Sequence, residues 1–124
     1  MAEYLITYDF KVTVTSQYRT FSLCAEPQGL LYVYKADDLF RLPNTTIWGE
    51  FVSKEAARTA FDNAQAAAEK KLGVKMTLEK RVVTRMSDFF VRSDKRKAPE
   101  RQWTKASDLE TCRAHQLNDP FFTY

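Results

Sequence analysis

The sequence predicts an α+β domain in which an antiparallel sheet carries one or two helices on one face. Three observations predict it. Tyr4, Ile6, Tyr8, Phe10, Val12 and Val14 alternate with largely polar residues, the period of a strand with one buried face. Between Ser53 and Gly73, Ala57, Ala60, Phe61, Ala64, Ala68 and Leu72 recur at helical spacing. Val74, Met76, Leu78 and Val82 then alternate again, so the chain returns to a sheet and runs in it to about Arg85.

The other elements follow in order. Ser16–Glu26 fits two patterns. As a helix it gathers Tyr18, Phe21, Ser22 and Ala25 on one side and stops before Pro27; as a strand it alternates into a Glu26–Gly29 hairpin turn. Leu30–Lys35 is aromatic and β-branched and predicts a strand, whereas Ala36–Asn44, with Asp37, Asp38, Pro43 and Asn44, predicts a loop. Thr45–Val52 predicts another strand, in which Gly49 marks a bulge or a close approach. The long helix has Ser53 as N-cap, Glu55 in its first turn, Lys70 and Lys71 in its last, and Gly73 as its stop.

Beyond it, Met86–Val91 could add a short strand. Arg92–Ala106 is basic and poor in apolar residues, which predicts a linker or arm. Ser107-x-x-Glu110 is a capping box that opens a helix over Asp108–Leu117, and Asn118-Asp119-Pro120 closes it. Division is expected between a core domain, 1–91, and a C-terminal extension, 92–124. With residues 16–26 helical, the order is β-α-β-β-α-β, the ferredoxin-like arrangement, followed by a basic extension and a short terminal helix.

Length and composition bound the class. The chain has 124 residues, which suits one domain with one core, and 44% hydrophobic with 28% charged residues is globular rather than disordered. No apolar run approaches the roughly 18–20 residues that span a bilayer, and Met1–Tyr4 opens no secretory signal. Cys24 and Cys112 stand far apart; they read as two reduced thiols or as a single long-range disulfide. A cytoplasmic protein is the expectation. Net charge is +3, but Lys80–Lys105 sets nine cations against three acids, a local excess of +6 on a body of −3.

Tyr4-Leu-Ile-Thr-Tyr-Asp9-Phe resembles the opening strand of the small ferredoxin-like CRISPR-adaptation proteins and their toxin-side relatives. Thr45-Thr46-Ile47-Trp48 followed by a helix is similar as well, so the resemblance spans residues 4–84. It implies a symmetric homodimer in which Asp9 is the metal-binding, catalytic carboxylate, with Mg²⁺ serving phosphodiester hydrolysis. The alternation runs to Val14, which would set Asp9 mid-strand on the polar face, where an aspartate simply meets water.

Other constellations are thin. Asp37-Asp38 fits turn chemistry as well as a cation site, and Cys112-x-x-His115 is half of a zinc pattern without the other half. The sequence has no P-loop, dinucleotide fingerprint or nucleophile elbow. In the basic arm, Arg92, Lys95, Arg96, Lys97, Arg101 and Lys105 are interleaved with Trp103. Phe89 and Phe90 precede it; cations track phosphates and aromatic rings stack on unpaired bases, so this mixture suits single-stranded nucleic acid, DNA or RNA. The same charges suit a solvated connector or an acidic protein partner. Two functions are therefore expected of the chain. It is either a nucleic-acid-binding protein of the nuclease kind, or a non-enzymatic interaction protein (antitoxin, inhibitor or accessory subunit). The second would grip its partner through the arm and through Phe121, Phe122 and Tyr124.

Overall fold

The structure, a computed structural model, describes residues 1–123. The alternating N-terminal residues form β1, Ala2–Phe10, with Tyr4, Ile6, Tyr8 and Phe10 buried and Thr7 and Asp9 exposed. Alternation predicts a strand to Val14, yet it ends at Phe10, and hydrogen bonds explain why. The Tyr18 hydroxyl accepts from the Phe10 amide at 3.0 Å and donates to the Phe10 carbonyl at 2.9 Å. Buried Gln17 accepts from the Thr13 amide and donates to the Lys11 carbonyl, each at 3.0 Å. Side chains have taken the backbone groups that a ladder would use, and Val12 is left 74% exposed.

Tyr18 and Gln17 belong to α1, Gln17–Ala25, so the helical reading of this segment holds and the strand reading does not. Gln17, Phe21, Cys24 and Ala25 form one buried face at helical spacing. A 3₁₀ turn, Glu26–Gln28, follows and stops at Gly29, whose φ of 83° suits a residue without Cβ.

The run expected as one strand over Leu30–Lys35 is divided. Leu31 exchanges two hydrogen bonds with Trp48, 2.8 and 2.9 Å, and the chain then leaves as β2, Val33–Lys35, for a second sheet. The expected loop contains β3, Leu39–Arg41, paired antiparallel with β2. Its Leu39 and Phe40 are buried; the chain turns at Ala36–Asp38 before it and, as expected of this loop, again at Pro43–Asn44 after it. Asp37 and Asp38 are thus hairpin residues.

Trp48 lies in β4, Thr46–Phe51, where Gly49 marks a close approach: a Cβ there would stand 2.3 Å from the Gly29 carbonyl oxygen. Next comes α2, Lys54–Leu72, capped by Ser53, which accepts from the Ala56 amide, and stopped by Gly73 at φ 70°. The strand expected from Val74 begins later, as β5, Leu78–Arg85. Gln65 and Glu69 of α2 hold the Met76 carbonyl and amide at 2.8 and 2.7 Å, which keeps that segment out of the ladder.

The architecture is α+β with two small antiparallel sheets, ordered β4-β1-β5 and β2-β3-β6, where β6 is Arg96–Lys97. The first sheet has only three strands, because β2 and β3 pair with each other and with β6 instead of joining it. Phe21, Phe61, Tyr8 and Phe10 meet between its inner face and α1 and α2, with Phe21 and Phe61 centroids 4.7 Å apart.

No strand forms over Met86–Val91. Residues 92–106, read as an arm, are anchored through β6 and through a 3₁₀ turn at Arg101–Trp103. The capping box works as read: Ser107 accepts from the Glu110 amide and opens α3, Asp108–Asn118. Cys112 and Phe122 join the same apolar core as the N-terminal elements, and both cysteines are buried free thiols. Among the described residues no helix is long and apolar enough to cross a membrane.

Candidate functional site

One face of the first sheet is left wet. Thr7 and Asp9 of β1 and Lys80, Val82 and Thr84 of β5 are exposed there. Past β5 the chain turns back, and the Met86 amide is tied to the Glu3 carbonyl at 2.9 Å. A groove of about 510 Å³ opens between Leu5, Thr7 and Thr84 on the sheet and Arg85, Phe90 and Arg92 on the returning chain. Two further cavities adjoin it. One, about 670 Å³, lies among Tyr34, Phe40, Phe90, Arg92 and Arg96; the other, about 720 Å³, among Arg41, Asn44, Arg92 and Lys95. All three share Arg92.

Phe89 and Phe90 form the ridge between the first two grooves. Phe89 packs edge-on against Tyr34, ring centroids 5.2 Å apart, and so fixes the ridge. Phe90 faces outward and is 89% exposed. Exposing a ring this size forgoes about 2 kcal/mol of burial. Arg85, Arg92, Lys95, Arg96 and Arg41 line the three grooves against Asp37, Asp88 and Asp94, so cations prevail.

The expected arm residues divide into those bound within the fold and those available. Lys97 bridges Glu100 and Asp119 at 2.8 and 2.9 Å. Its hydrogen bonds to Glu100 and then Asp119 raise its pKa above the ordinary lysine value against the opposing effect of burial. Burial pushes the Asp119 carboxyl upward, but Lys97 and the Phe121 amide outweigh it and hold the group below the usual carboxylate range. Arg96 pairs with Asp38 at 2.8 Å, and Lys95 donates to the Thr123 carbonyl. Trp103 stands edge-on to His115, centroids 5.3 Å apart, and is partly buried. Arg92, Arg101 and Lys105 make no ion pair among the described residues, and all three are exposed. Of the tail residues, Phe122 is fully buried, Phe121 is 43% exposed, and Tyr124 lies outside the described residues.

No family model, curated protein or solved structure matches this chain. Function must therefore be argued from side chains. Asp9 is the penultimate residue of β1, exposed, with Lys80 as its cross-strand neighbour. Among the described residues, no three or more His, Cys, Asp and Glu come together as a metal site would require. Within one copy Asp9 is a lone carboxylate beside Lys80.

Cys112 and His115 serve the fold. The Glu100 amide donates to His115 Nε2 at 2.9 Å, which leaves Nδ1 as donor to the Thr111 carbonyl at 2.8 Å. Both ring nitrogens are spent. Burial, and secondarily the nearby Asp108, pushes the Cys112 thiol up to about 12, far from a thiolate nucleophile at neutral pH. Burial also raises the Tyr34 hydroxyl, reinforced by its hydrogen bond to Glu3 at 2.9 Å.

The sequence reading placed Phe89 and Phe90 ahead of the arm and counted Arg85 in the basic segment, but assigned neither Arg85 nor Phe90 to the site. A signal existed: adjacent Phe89 and Phe90 in an extended segment point to opposite sides, so one core cannot hold both. Sorting cations by sequence clustering favoured 92–105, but folding consumed half of those charges and brought Arg85 in from a strand.

Proposed function

We propose that this protein binds single-stranded nucleic acid across the connected grooves around Arg92. The observation that carries the reading is Phe90, exposed on a ridge fixed by Phe89 and flanked by Arg85, Arg92 and Arg96. An exposed ring among cations matches the two needs of such a ligand, a face for an unpaired base and charges for the phosphates that follow it. Arg92 keeps the role expected of it, while Arg96 and Lys95 line the grooves from their bonds to Asp38 and the Thr123 carbonyl. Lys97 and Trp103 act by holding the turn beneath, whereas Arg101 and Lys105 are exposed and line none of the three grooves. We read β5-β1-β4, with the Leu31 bridge at the β4 edge, as a ferredoxin-like arrangement with one strand reduced to a single pair; that order hosts many functions and does not by itself select the ligand. The resemblance of β1 to CRISPR-adaptation proteins agrees with a nucleic-acid ligand.

The test is a titration with fluorescent single-stranded DNA and RNA at two salt concentrations. Affinity should fall with salt by a log–log slope of about −0.7 per phosphate neutralised, and Phe90→Ala should weaken binding about tenfold at either salt. A protein that ignores both ligands at low salt has some other partner. An acidic protein competing for Arg85 and Arg92 would then be sought.

A further inference from the structure

β5 lies at the edge of the first sheet. It pairs with β1 on one side, and among the described residues no strand pairs with it on the other. The β1 pairing shifts between Asp9 and Phe10 and leaves Glu79 unpaired as a bulge residue, so the regular ladder runs from Lys80 to Arg85. That stretch spans about 20 Å. Hydrogen bonds fix which of its backbone groups are open. The Met86 amide donates to Glu3 of β1, whereas the Tyr8 amide donates to Thr45, on the β4 side. Bonded and non-bonded pairs alternate along an antiparallel ladder. Lys80, Val82 and Thr84 therefore bond to β1, and Arg81, Val83 and Arg85 turn their amides and carbonyls to the open edge.

Natural edges are closed by charge, by proline, by bulges or by a covering element. Here β-branched Val82, Val83 and Thr84 occupy the centre of the edge, and the bulge lies beyond its end at Glu79. Closure is left to charge, and that charge has one sign. Arg81 is spent within the fold, because Asp62 holds it at 2.7 Å and it lies over the Phe61 ring. Lys80 and Arg85, at the two ends, are exposed and make no ion pair among the described residues. A second copy would set another Lys80, Arg81 and Arg85 against the first, and a nucleic acid has no amide to offer the ladder. An acidic strand meets both needs. Its main chain answers the open amides and carbonyls, and its carboxylates answer Lys80 and Arg85. Val82, 60% exposed, takes an apolar neighbour between them.

We propose that an extended segment of a partner protein adds to the sheet along β5, with a carboxylate at each end and β-branched residues between. The edge shares only Thr84 and Arg85 with the grooves, and pairing there does not depend on what fills them.

The test is a titration of the full chain with the synthetic peptide Thr-Glu-Thr-Val-Val-Thr-Glu-Thr, whose two acids fall opposite Lys80 and Arg85 in either strand direction. Hydrogen exchange read by NMR reports where it binds. At saturation the amides of Arg81, Val83 and Arg85 should exchange at least about tenfold more slowly, while those of Val82 and Thr84, already bonded to β1, stay as they were. The same peptide with lysine for glutamate should bind at least about tenfold more weakly, and so should one with proline for the valine opposite Val83, which lacks an amide the ladder needs. Lys80→Glu, with circular dichroism as the folding control, should weaken the acidic peptide about fivefold. An acidic peptide that fails to bind overturns the proposal. So does binding that leaves the three amides unprotected or ignores the proline, since charge alone would then hold the peptide. Protection of those amides in the protein alone, rising with its concentration, would give the edge to a second copy and overturn the proposal as well.

Discussion

The region around α2 and the region around α3 are held by different kinds of interaction. Between β1, α1 and α2, aromatic rings fill the space: Tyr8, Phe10, Phe21 and Phe61 meet in pairs with centroids between 4.7 and 5.9 Å. Around α3 the joints are polar and far apart in sequence. Gln116 accepts from the buried Tyr32 amide at 2.8 Å, His115 accepts from Glu100, and Lys97 bridges to Asp119. The first region depends on volume and the second on a few directional bonds. Stability of the first should therefore be insensitive to pH, whereas the second carries titrating groups at its seams.

The largest effect expected is in the first region. Phe61→Ala removes the ring that Tyr8, Phe10 and Phe21 pack on and should cost about 4 kcal/mol in urea denaturation. A loss below about 1 kcal/mol would mean that α2 closes over the gap and that volume is not what holds it. In the second region, Gln116→Ala deletes the acceptor of the Tyr32 amide and little apolar packing. About 2 kcal/mol is expected, with hydrogen exchange accelerated at Tyr32 ahead of the β1 amides. Exchange that rises equally in both regions would show them to be one cooperative unit.

The same contrast governs what could be read in advance. The α2 region was legible because local pattern and tertiary outcome agree: helical spacing, Ser53, Gly73 and alternation through Phe10 each specify what forms. Errors fell where partners remote in sequence decide. β1 stops short of Val14 because Gln17 and Tyr18 take its backbone groups, and the residue types alone do not announce those bonds. β3 hid among turn-forming residues because its strand character comes from pairing with β2 and β6. Arg92–Ala106 looks like an arm when its charges are counted one by one. It is anchored because Asp38, Glu100 and Asp119 neutralise some of them across the fold. Site residues suffered likewise, since Phe90 comes to line one groove with Arg85 and another with Arg96 only after the chain turns back over the sheet.

The smallest effect expected is electrostatic. Asp119→Asn keeps the side-chain oxygen that accepts from the Phe121 amide and removes only the charge facing Lys97. At neutral pH the loss should be about 1 kcal/mol, because a charge-assisted bond gives way to a neutral one. The pH window follows from the two shifts. Asp119 has a depressed pKa when folded, so its contribution is present above the unfolded aspartate value near about 4 and fades as pH falls through the folded value. Lys97 has a raised pKa, so its contribution is present below the unfolded lysine value near about 10 and fades as pH rises through the folded one. The difference between wild type and variant should be flat between those limits and shrink beyond either. A difference that slopes steadily through neutral pH would transfer the effect from the Lys97–Asp119 bridge to another group in the α3 region.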